Sequence, residues 1–283
     1  MWLLDCFASL AMTGSDAMIP NVLSIAGSDP SGGAGIQADL KTFSALGCYG
    51  MAAITALTAQ NTQGVSGVHV PDSAFIASQI EAIFADVRVD AVKIGMLGSP
   101  EIVSAVAACL RTHKPAHIVL DPVLVATSGH SLGAPGVVEA MREMLFPLAS
   151  LITPNLHEAT RLAEVDMPTE EAGLEPLARR LADQGARAVL VKGGHLSGAT
   201  APDVLFAGGQ VSRFSAPRVD TKNTHGTGCT LSSAIAAHLA KGFGLVEAVQ
   251  LSKDYLTQAL RAADALEVGR GHGPVHHFAG LWR

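Results

Sequence analysis

The stretch VLSIAGSDPSGGAGIQADLKTFSAL, residues 22–46, opens the patterned part of the chain. It predicts a short apolar strand at 22–26, a glycine-rich turn at 27–35 and an amphipathic helix at 36–46. Units of this kind build parallel sheets, because a crossover must carry the chain back before the next parallel strand can begin. The stretch therefore indicates an α/β fold.

The same alternation continues along the chain. Apolar runs predict further strands at 52–57, 91–94, 118–120, 151–153 and 188–191, with helices such as 72–86 and 99–112 between them. Gly208 and Gly209 separate two more runs, 203–207 and 210–215, which is a hairpin signal. Long helices at 228–241 and 245–266 close the chain. We expect a mostly parallel central sheet flanked by helices, with an antiparallel hairpin at the far edge.

Regular patterning begins only after Met18, which is itself a candidate initiator. The first residues lack the basic segment of a secretory signal, and Asp5 breaks their short apolar run. We expect residues 1–20 to be a disordered tail or a mis-annotated start. No linker, composition shift or repeat divides the rest, so residues 21–283 are expected to form a single domain.

Composition excludes several classes of protein. Hydrophobic residues make up 48% of the 283 residues and charged ones 16%, which excludes intrinsic disorder. The net charge of −6 provides no basic field for nucleic acid or an anionic membrane, so any polyanion must be held locally. Four scattered cysteines without a Cys-x-x-Cys pair argue against a disulfide framework or zinc knuckle and fit a reducing cytoplasm. No segment has the roughly 20 apolar residues of a membrane span.

The glycine-rich turn does not identify a ligand by itself. Gly33-x-Gly35-x-x-Ala38 matches the glycines of a dinucleotide fingerprint, but no acidic residue lies between Asp39 and Asp72 to bind the ribose. Gly32 is followed by glycine and alanine instead of the lysine and hydroxyl residue of a P-loop. A simple strand-to-helix turn explains the sequence equally well.

A second motif, TKNTHGTGCT at residues 221–230, is more specific. Gly226, Thr227 and Gly228 at the start of a helix predict an anion hole, because free backbone N–H groups and the helix dipole both favour negative charge there. Cys229 lies in the same first turn, where thiol pKa values fall from about 8.5 to roughly 3.5–7.5. We expect Cys229 to act as a base or nucleophile; the alternative is a small buried packing residue.

Seven blocks occur in order along the chain: residues 26–39, TAQNT at 58–62, KIGML at 93–97, DPV at 121–123, TPNLHE at 153–158, VKGGH at 191–195 and HGTGC at 225–229. With the closing GPVHHF at 273–278, they resemble the hydroxymethylpyrimidine and phosphomethylpyrimidine kinases of thiamine biosynthesis, which are ribokinase-like kinases. The resemblance covers residues 21–279 and implies a ribokinase-like fold and a homodimer.

The resemblance also implies a reaction. Such an enzyme uses ATP and Mg²⁺ to phosphorylate 4-amino-5-hydroxymethyl-2-methylpyrimidine, and then converts the monophosphate to the pyrophosphate in the same site. Where many ribokinase-like sugar kinases carry an aspartate base, this chain has Cys229. The resemblance therefore assigns the hydroxymethyl proton to Cys229.

Candidate side chains for the other tasks follow the ends of predicted strands, where open α/β sheets bind ligands. The expected ATP-binding residues are Lys192, Thr153 and Asn155, and the expected Mg²⁺ ligands are Asp121 and Glu158. Around the pyrimidine we expect Gln60, whose amide complements an aminopyrimidine, with Ala34, Asp39, Met96 and Val123 placed there by resemblance.

Alternatives remain for these residues and for the whole chain. Met96 and Val123 are also typical core residues, Glu158 a typical helix cap and Lys192 a typical surface lysine. A pyridoxal kinase of the same fold is the nearest alternative function. A cysteine hydrolase using Cys229 and His225, and a non-catalytic pyrimidine sensor, are alternatives from other classes.

Overall fold

The computed structural model describes residues 18–124 and 134–282. Its strands are β1 (Asn21–Ser28), β2 (Tyr49–Asn61), β3 (Gly64–His69), β4 (Ala91–Ile94), β5 (Ile118–Leu120), β6 (Leu151–Ile152), β7 (Ala188–Lys192), β8 (Thr200–Ala207) and β9 (Gln210–Pro217). Its α-helices are α1 (Gly35–Ala45), α2 (Ser73–Phe84), α3 (Pro100–His113), α4 (Val137–Met144), α5 (Leu156–Ala163), α6 (Leu174–Asp183), α7 (Thr227–Ala240) and α8 (Leu245–Arg261). Short 3₁₀ turns lie at Glu171–Gly173 and Ala263–Ala265.

The strands form one sheet of order β3-β2-β1-β4-β5-β6-β7-β8-β9 across the described residues. Six neighbouring strands run parallel to one another: β2, β1, β4, β5, β6 and β7. At one edge β3 pairs antiparallel with β2, and at the other edge β8 pairs antiparallel with both β7 and β9. This confirms the predicted α/β class, the mostly parallel sheet and the edge hairpin. The carboxyl ends of the parallel strands share one edge, where ligand sites of open α/β sheets form.

Helices cover both faces of the sheet, which explains why the central strands are almost continuously apolar. One buried cluster joins the sheet to α2, α3, α4, α5 and α6 through residues such as Ile76, Ile102 and Leu177. The other joins it to α1, α7 and α8 through residues such as Phe43, Ile235 and Val249. Because α7 lies on the second face, its first turn can reach the carboxyl edge of the sheet.

The predicted strand at 52–57 is the centre of a longer strand, β2, that pairs with β3 in a hairpin. The sequence pattern missed β3, because Gly64 and Gly67 are poor strand formers. The last helix ends at Arg261, not at Leu266, and continues as a 3₁₀ turn. At the other edge, the positive φ angles of Gly208 (56°) and Gly209 (79°) make the expected two-residue turn.

Residues 1–17, on which most of the predicted tail falls, lie outside the described residues. Tyr49 donates its N–H to the carbonyl oxygen of Pro20, which ties the first described residues to β2. None of the helices described is both long and apolar enough to cross a membrane.

Candidate active site

A cavity of about 920 Å³ runs along the carboxyl edge of the parallel strands. It gathers residues from the glycine-rich turn after β1, from β2, from the loops after β4, β5 and β6, and from the end of β7 and the start of α7. Twelve of the fourteen predicted site residues line it: Ala34, Gln60, Met96, Asp121, Val123, Asn155, Glu158, Lys192, Gly226, Thr227, Gly228 and Cys229. The remaining two, Asp39 and Thr153, are fully buried behind its wall.

The first turn of α7 lies directly against the glycine-rich turn. Gly226 precedes the helix with a φ of 79°, and a Cβ atom there would overlap the backbone carbonyl oxygen of Gly33. The N-cap residue, Gly226, has no side chain that could cap this end of the helix. The positive end of the α7 dipole therefore faces the cavity, as an anion hole requires.

Both positive and negative side chains act on the pKa of the Cys229 thiol. Burial raises its pKa most, Asp39 and Asp121 raise it further, and Lys93 and the Gly35 N–H lower it, so that the pKa reaches about 11. The expected fall of the pKa into the range of roughly 3.5–7.5 is therefore wrong. The start of the helix stabilises the thiolate, but burial away from water destabilises the thiolate by a larger amount.

A fully buried ion pair lies behind Cys229. Lys93 Nζ donates to both Asp39 carboxylate oxygens at 2.8 Å, and the Ser24 and Ser233 hydroxyls donate to the same carboxylate at 2.6 Å. Burial lowers the pKa of Lys93, but Asp39 outweighs it and the pKa is raised. In this structure Lys93, which the sequence analysis did not single out, lines the cavity, and the predicted substrate ligand Asp39 holds it from behind.

A second ion pair lies under the start of α7. Lys192 Nζ is 2.8 Å from Asp121 Oδ1, to which the Thr153 hydroxyl also donates at 3.1 Å. A Cβ atom on Gly228 would lie 3.3 Å from Lys192 Nζ and 3.4 Å from Asp121 Oδ2. Gly228 therefore lets the helix start approach both charged groups, and Thr153 supports Asp121 from behind.

Glu158 combines the two roles that the sequence left open. It forms a capping box with Asn155: Glu158 Oε2 accepts from the Asn155 N–H at 2.8 Å, and Asn155 Oδ1 accepts from the Glu158 N–H at 2.9 Å. It also lines the cavity. Burial raises its pKa most, Lys192 lowers it and Asp121 raises it, to about 7. Glu158 is thus a structural cap whose charge responds to its neighbours.

Gln60 lies at the β2 end of the cavity, beside His225 and Thr58. His225 is buried, and its Nε2 is 2.8 Å from Asp29 Oδ2. The Asp29 carboxylate also accepts from the N–H groups of Ser31, Gly33 and Ala34 and so holds the glycine-rich turn closed. The polar wall at this end is built by the same turn that packs against Gly226.

The β9 end of the cavity was not predicted. Lys253 of α8 and Asp203 of β8 form a buried ion pair 2.5 Å long, and the rings of His157 and His195 meet edge to face at 4.8 Å. All four residues line the cavity. They come from four separate segments, and no local motif joins them. His157 and His195 follow predicted strands and Asp203 begins one, but the sequence analysis gave none of the four a role in the site.

Comparison with known protein families finds a match that covers most of the chain. Residues 29–276 match the phosphomethylpyrimidine kinase family. The hydroxymethylpyrimidine/phosphomethylpyrimidine kinase of Salmonella typhimurium is 53% identical over 262 residues, which is 93% of this chain and 98% of that protein. The crystal structure of phosphomethylpyrimidine kinase from Clostridium difficile is 44% identical, with a TM-score of 0.76 over 85% of this chain and 99% of its own.

A more distant relative shares the architecture closely. The Bacillus subtilis pyridoxal kinase, solved as an ADP complex, is 36% identical, with a TM-score of 0.85 over 93% of this chain and 98% of its own. The sequence match, the coverage of whole chains and the position of the cavity at the carboxyl edge of the sheet all point to the same family. The chain therefore belongs to the phosphomethylpyrimidine kinase family and is a kinase.

Proposed function

We propose that the chain transfers the γ-phosphoryl group of ATP first to 4-amino-5-hydroxymethyl-2-methylpyrimidine and then to its monophosphate, in thiamine biosynthesis. One observation carries this proposal beyond family membership. The sheet order places a polar wall at Gln60 and an apolar wall on α8 at opposite ends of one cavity, with the start of α7 between them. Two substrates bound at the two ends would meet at the anion hole.

The β9 end suits a nucleotide. Leu256 and Leu260 of α8 line it together with Pro217 and Val219, which gives an apolar slot for the adenine ring. From there the phosphates would extend toward Lys192 and the amides of 227–229, where a cation and a helix dipole oppose their charge. Burial lowers the pKa of Lys192, but Asp121 and Glu158 outweigh it and raise the pKa, so this lysine stays charged.

The β2 end suits a flat, neutral aminopyrimidine. Gln60 supplies an amide that can both donate and accept, and Ala34, Met96 and Val123 supply the apolar surface around it. The hydroxymethyl group of a ring bound there would point toward Cys229 and the start of α7. A monophosphate on that group would reach the same helix start, which explains how one site could carry out both steps.

Mg²⁺ fits Asp121 and Glu158 only together with the phosphates of ATP. The described residues hold no cluster of three metal-ligating side chains, so two carboxylates cannot form a cage by themselves. Magnesium prefers carboxylate, phosphate and water oxygens in this combination, and Asp121 and Glu158 both line the cavity next to Lys192. Held there by Asp121 and Glu158, the ion would offset the negative charge of the phosphates.

The remaining chemistry is positioning and proton transfer. The amides of Gly226, Thr227, Gly228 and Cys229 hold the transferring phosphoryl group, and the Cys229 sulfur accepts the hydroxymethyl proton. Because the phosphoryl transition state is loose, the hydroxyl proton leaves late. Only the thiolate form of Cys229, which has already released its own proton to solvent, can accept that proton. A cysteine hydrolase would need His225 to activate Cys229, but His225 Nε2 faces Asp29 and Gln60.

A substrate panel tests this proposal. ADP release is measured with the hydroxymethylpyrimidine, its monophosphate and pyridoxal in parallel, for the wild type and Gln60→Ala. We expect the first two compounds to be phosphorylated. We expect Gln60→Ala to raise the pyrimidine KM about 5- to 150-fold, which corresponds to about 1–3 kcal/mol, with little change in the ATP KM. Equal effects on both KM values would remove Gln60 from the pyrimidine site.

Pyridoxal is included because one observation favours it as a second substrate. The Bacillus pyridoxal kinase has the same fold at a TM-score of 0.85 and 36% identity, and pyridoxal, like the proposed substrate, carries a hydroxymethyl group on a flat ring. If pyridoxal reacted faster than both pyrimidines, the chain would be a pyridoxal kinase instead. If no compound released ADP, the kinase proposal would fail.

A further inference from the structure

The amide of Gln60 faces two neighbours whose hydrogen-bonding roles can be worked out. As placed, Gln60 Nε2 is 3.4 Å from His225 Nε2, and Gln60 Oε1 is 3.2 Å from Thr58 Oγ1. The oxygen and nitrogen of a carboxamide have nearly the same size, so the hydrogen-bond network decides which end lies where. Here that network runs from Asp29 through His225, Gln60 and Thr58 to the backbone carbonyl of Ser28.

Asp29 determines the proton on His225. Its carboxylate accepts the Ser31 hydroxyl and the N–H groups of Ser31, Gly33 and Ala34. Burial raises the pKa of Asp29, but the bonds from His225 and Ser31 outweigh it and hold the pKa at about 2. The carboxylate is thus an acceptor at every physiological pH. His225 Nε2, 2.8 Å away, must carry the hydrogen in this pair.

A protonated Nε2 conflicts with the amide as placed, because two N–H donors would face each other. Rotating the amide by 180° removes the conflict at both ends. Gln60 Oε1 then faces a donor and shares the single hydrogen of His225 Nε2 with Asp29 in a three-centre hydrogen bond, in which Asp29 at 2.8 Å is the nearer acceptor and Gln60 at 3.4 Å the farther one. At the other end, Gln60 Nε2 donates to Thr58 Oγ1. The Thr58 hydroxyl is free to accept, because its own hydrogen goes to the Ser28 carbonyl oxygen at 2.8 Å.

We propose that Asp29 and His225 are positioning residues that fix the amide of Gln60 with its oxygen toward His225, and that they thereby select an aminopyrimidine ring. A glutamine amide held at both ends presents one order of donor and acceptor to the cavity, whereas a free amide can turn over to match the opposite order. The proposal rests on the proposed contact between Gln60 and the pyrimidine. It adds the residues that make that contact selective.

Selectivity separates this role from a general structural one. The measured quantity is the ratio of kcat/KM for the hydroxymethylpyrimidine to kcat/KM for the same ring without its 4-amino group. His225→Phe keeps a buried ring and removes the Nε2 donor. We expect it to lower this ratio up to about tenfold, the effect of one hydrogen bond, and to change the ATP KM much less. His113→Phe, at the end of α3 and remote from the cavity, is the matched histidine control.

A double-mutant cycle with Gln60→Ala shows whether His225 acts through Gln60. If it does, His225→Phe lowers the ratio in the wild-type background but not in the Gln60→Ala background, because the effects of substitutions within one hydrogen-bond network are not additive. Additive effects, or an unchanged ratio in His225→Phe, would overturn the proposal while leaving Gln60 in the pyrimidine site. An unchanged pyrimidine KM in Gln60→Ala itself would overturn the proposed site as well.

A second variant acts from the other end of the amide, in case His225→Phe does not fold. Thr58→Val removes the acceptor for Gln60 Nε2 and keeps the side-chain shape. We expect the same loss of the ratio, which again disappears in the Gln60→Ala background. A wild-type ratio in Thr58→Val would contradict an amide fixed at both ends.

Discussion

Replacing Cys229 tests the proposed base, because the two contributions of this residue can be separated. Its backbone N–H at the start of α7 survives any substitution, whereas its sulfur does not. Loss of a positioned general base typically lowers the rate about 10²- to 10⁴-fold. We therefore expect Cys229→Ala to lower kcat by that factor while nucleotide affinity, measured by isothermal titration, stays close to that of the wild type.

The pH dependence gives a second, sharper expectation. With a pKa of about 11, the thiolate makes up about 10⁻⁴ of Cys229 at pH 7, and its fraction grows about tenfold per pH unit. If the thiolate is the base, the single-turnover rate should rise with nearly this slope between pH 7 and 9. Cys229→Asp supplies a carboxylate that is already ionised, so its rate should exceed that of Cys229→Ala and lose the slope.

The assay is rapid-quench measurement of phosphoryl transfer in single turnovers, so that product release does not hide the chemical step. Cys229→Ala is the matched control for the slope, since it lacks any titrating group at this position. Wild-type turnover in Cys229→Ala would refute the role of the sulfur and leave the anion hole alone to account for catalysis. The same slope in all three proteins would assign the pH dependence to another group.

Three further predictions concern stability and chain length. Deleting residues 1–17 should change neither the midpoint of urea unfolding nor kcat, and a large loss of either would give the segment a structural role. Gly226→Ala should destabilise the protein more than Gly209→Ala, measured by urea unfolding: both glycines have a φ of 79°, but only at 226 would a Cβ meet backbone, and equal losses would contradict the close approach to Gly33. Asp29, with its pKa lowered to about 2 from 3.8, should contribute about 2 kcal/mol at neutral pH that is lost as the pH falls from about 4 toward 2, and Asp29→Asn should unfold with a weaker pH dependence in this range.

Local sequence patterns predicted the parts of the fold that depend on short stretches. The strand ends that carry Asp121 and Lys192, and the helix start at Gly226, follow from apolar runs and glycines that lie next to these residues. Gly208 and Gly209 likewise set their own hairpin. These features need no information about distant parts of the chain.

The features that were missed depend on distant partners. Cys229 was expected to ionise easily because of its helix position, but burial and the charges of Asp39 and Asp121, more than 100 residues away in sequence, determine its pKa. Asp39 was placed at the substrate by resemblance, and nothing local in the sequence reveals that Lys93 pairs with its carboxylate. The Asp203–Lys253 pair likewise joins a strand to a helix 50 residues later, which no spacing rule anticipates.

The buried pair of Lys93 and Asp39 restricts how this protein can evolve. Removing either partner alone would leave an unpaired charge in the core, at a cost of about 3–5 kcal/mol, whereas replacing both with apolar residues of similar volume is often tolerated. Evolution can therefore hardly replace Lys93 and Asp39 one at a time, because either single substitution would be strongly destabilising. Across related kinases the two positions should be inherited as a unit, either both charged or both neutral, although 54 residues separate them in the chain.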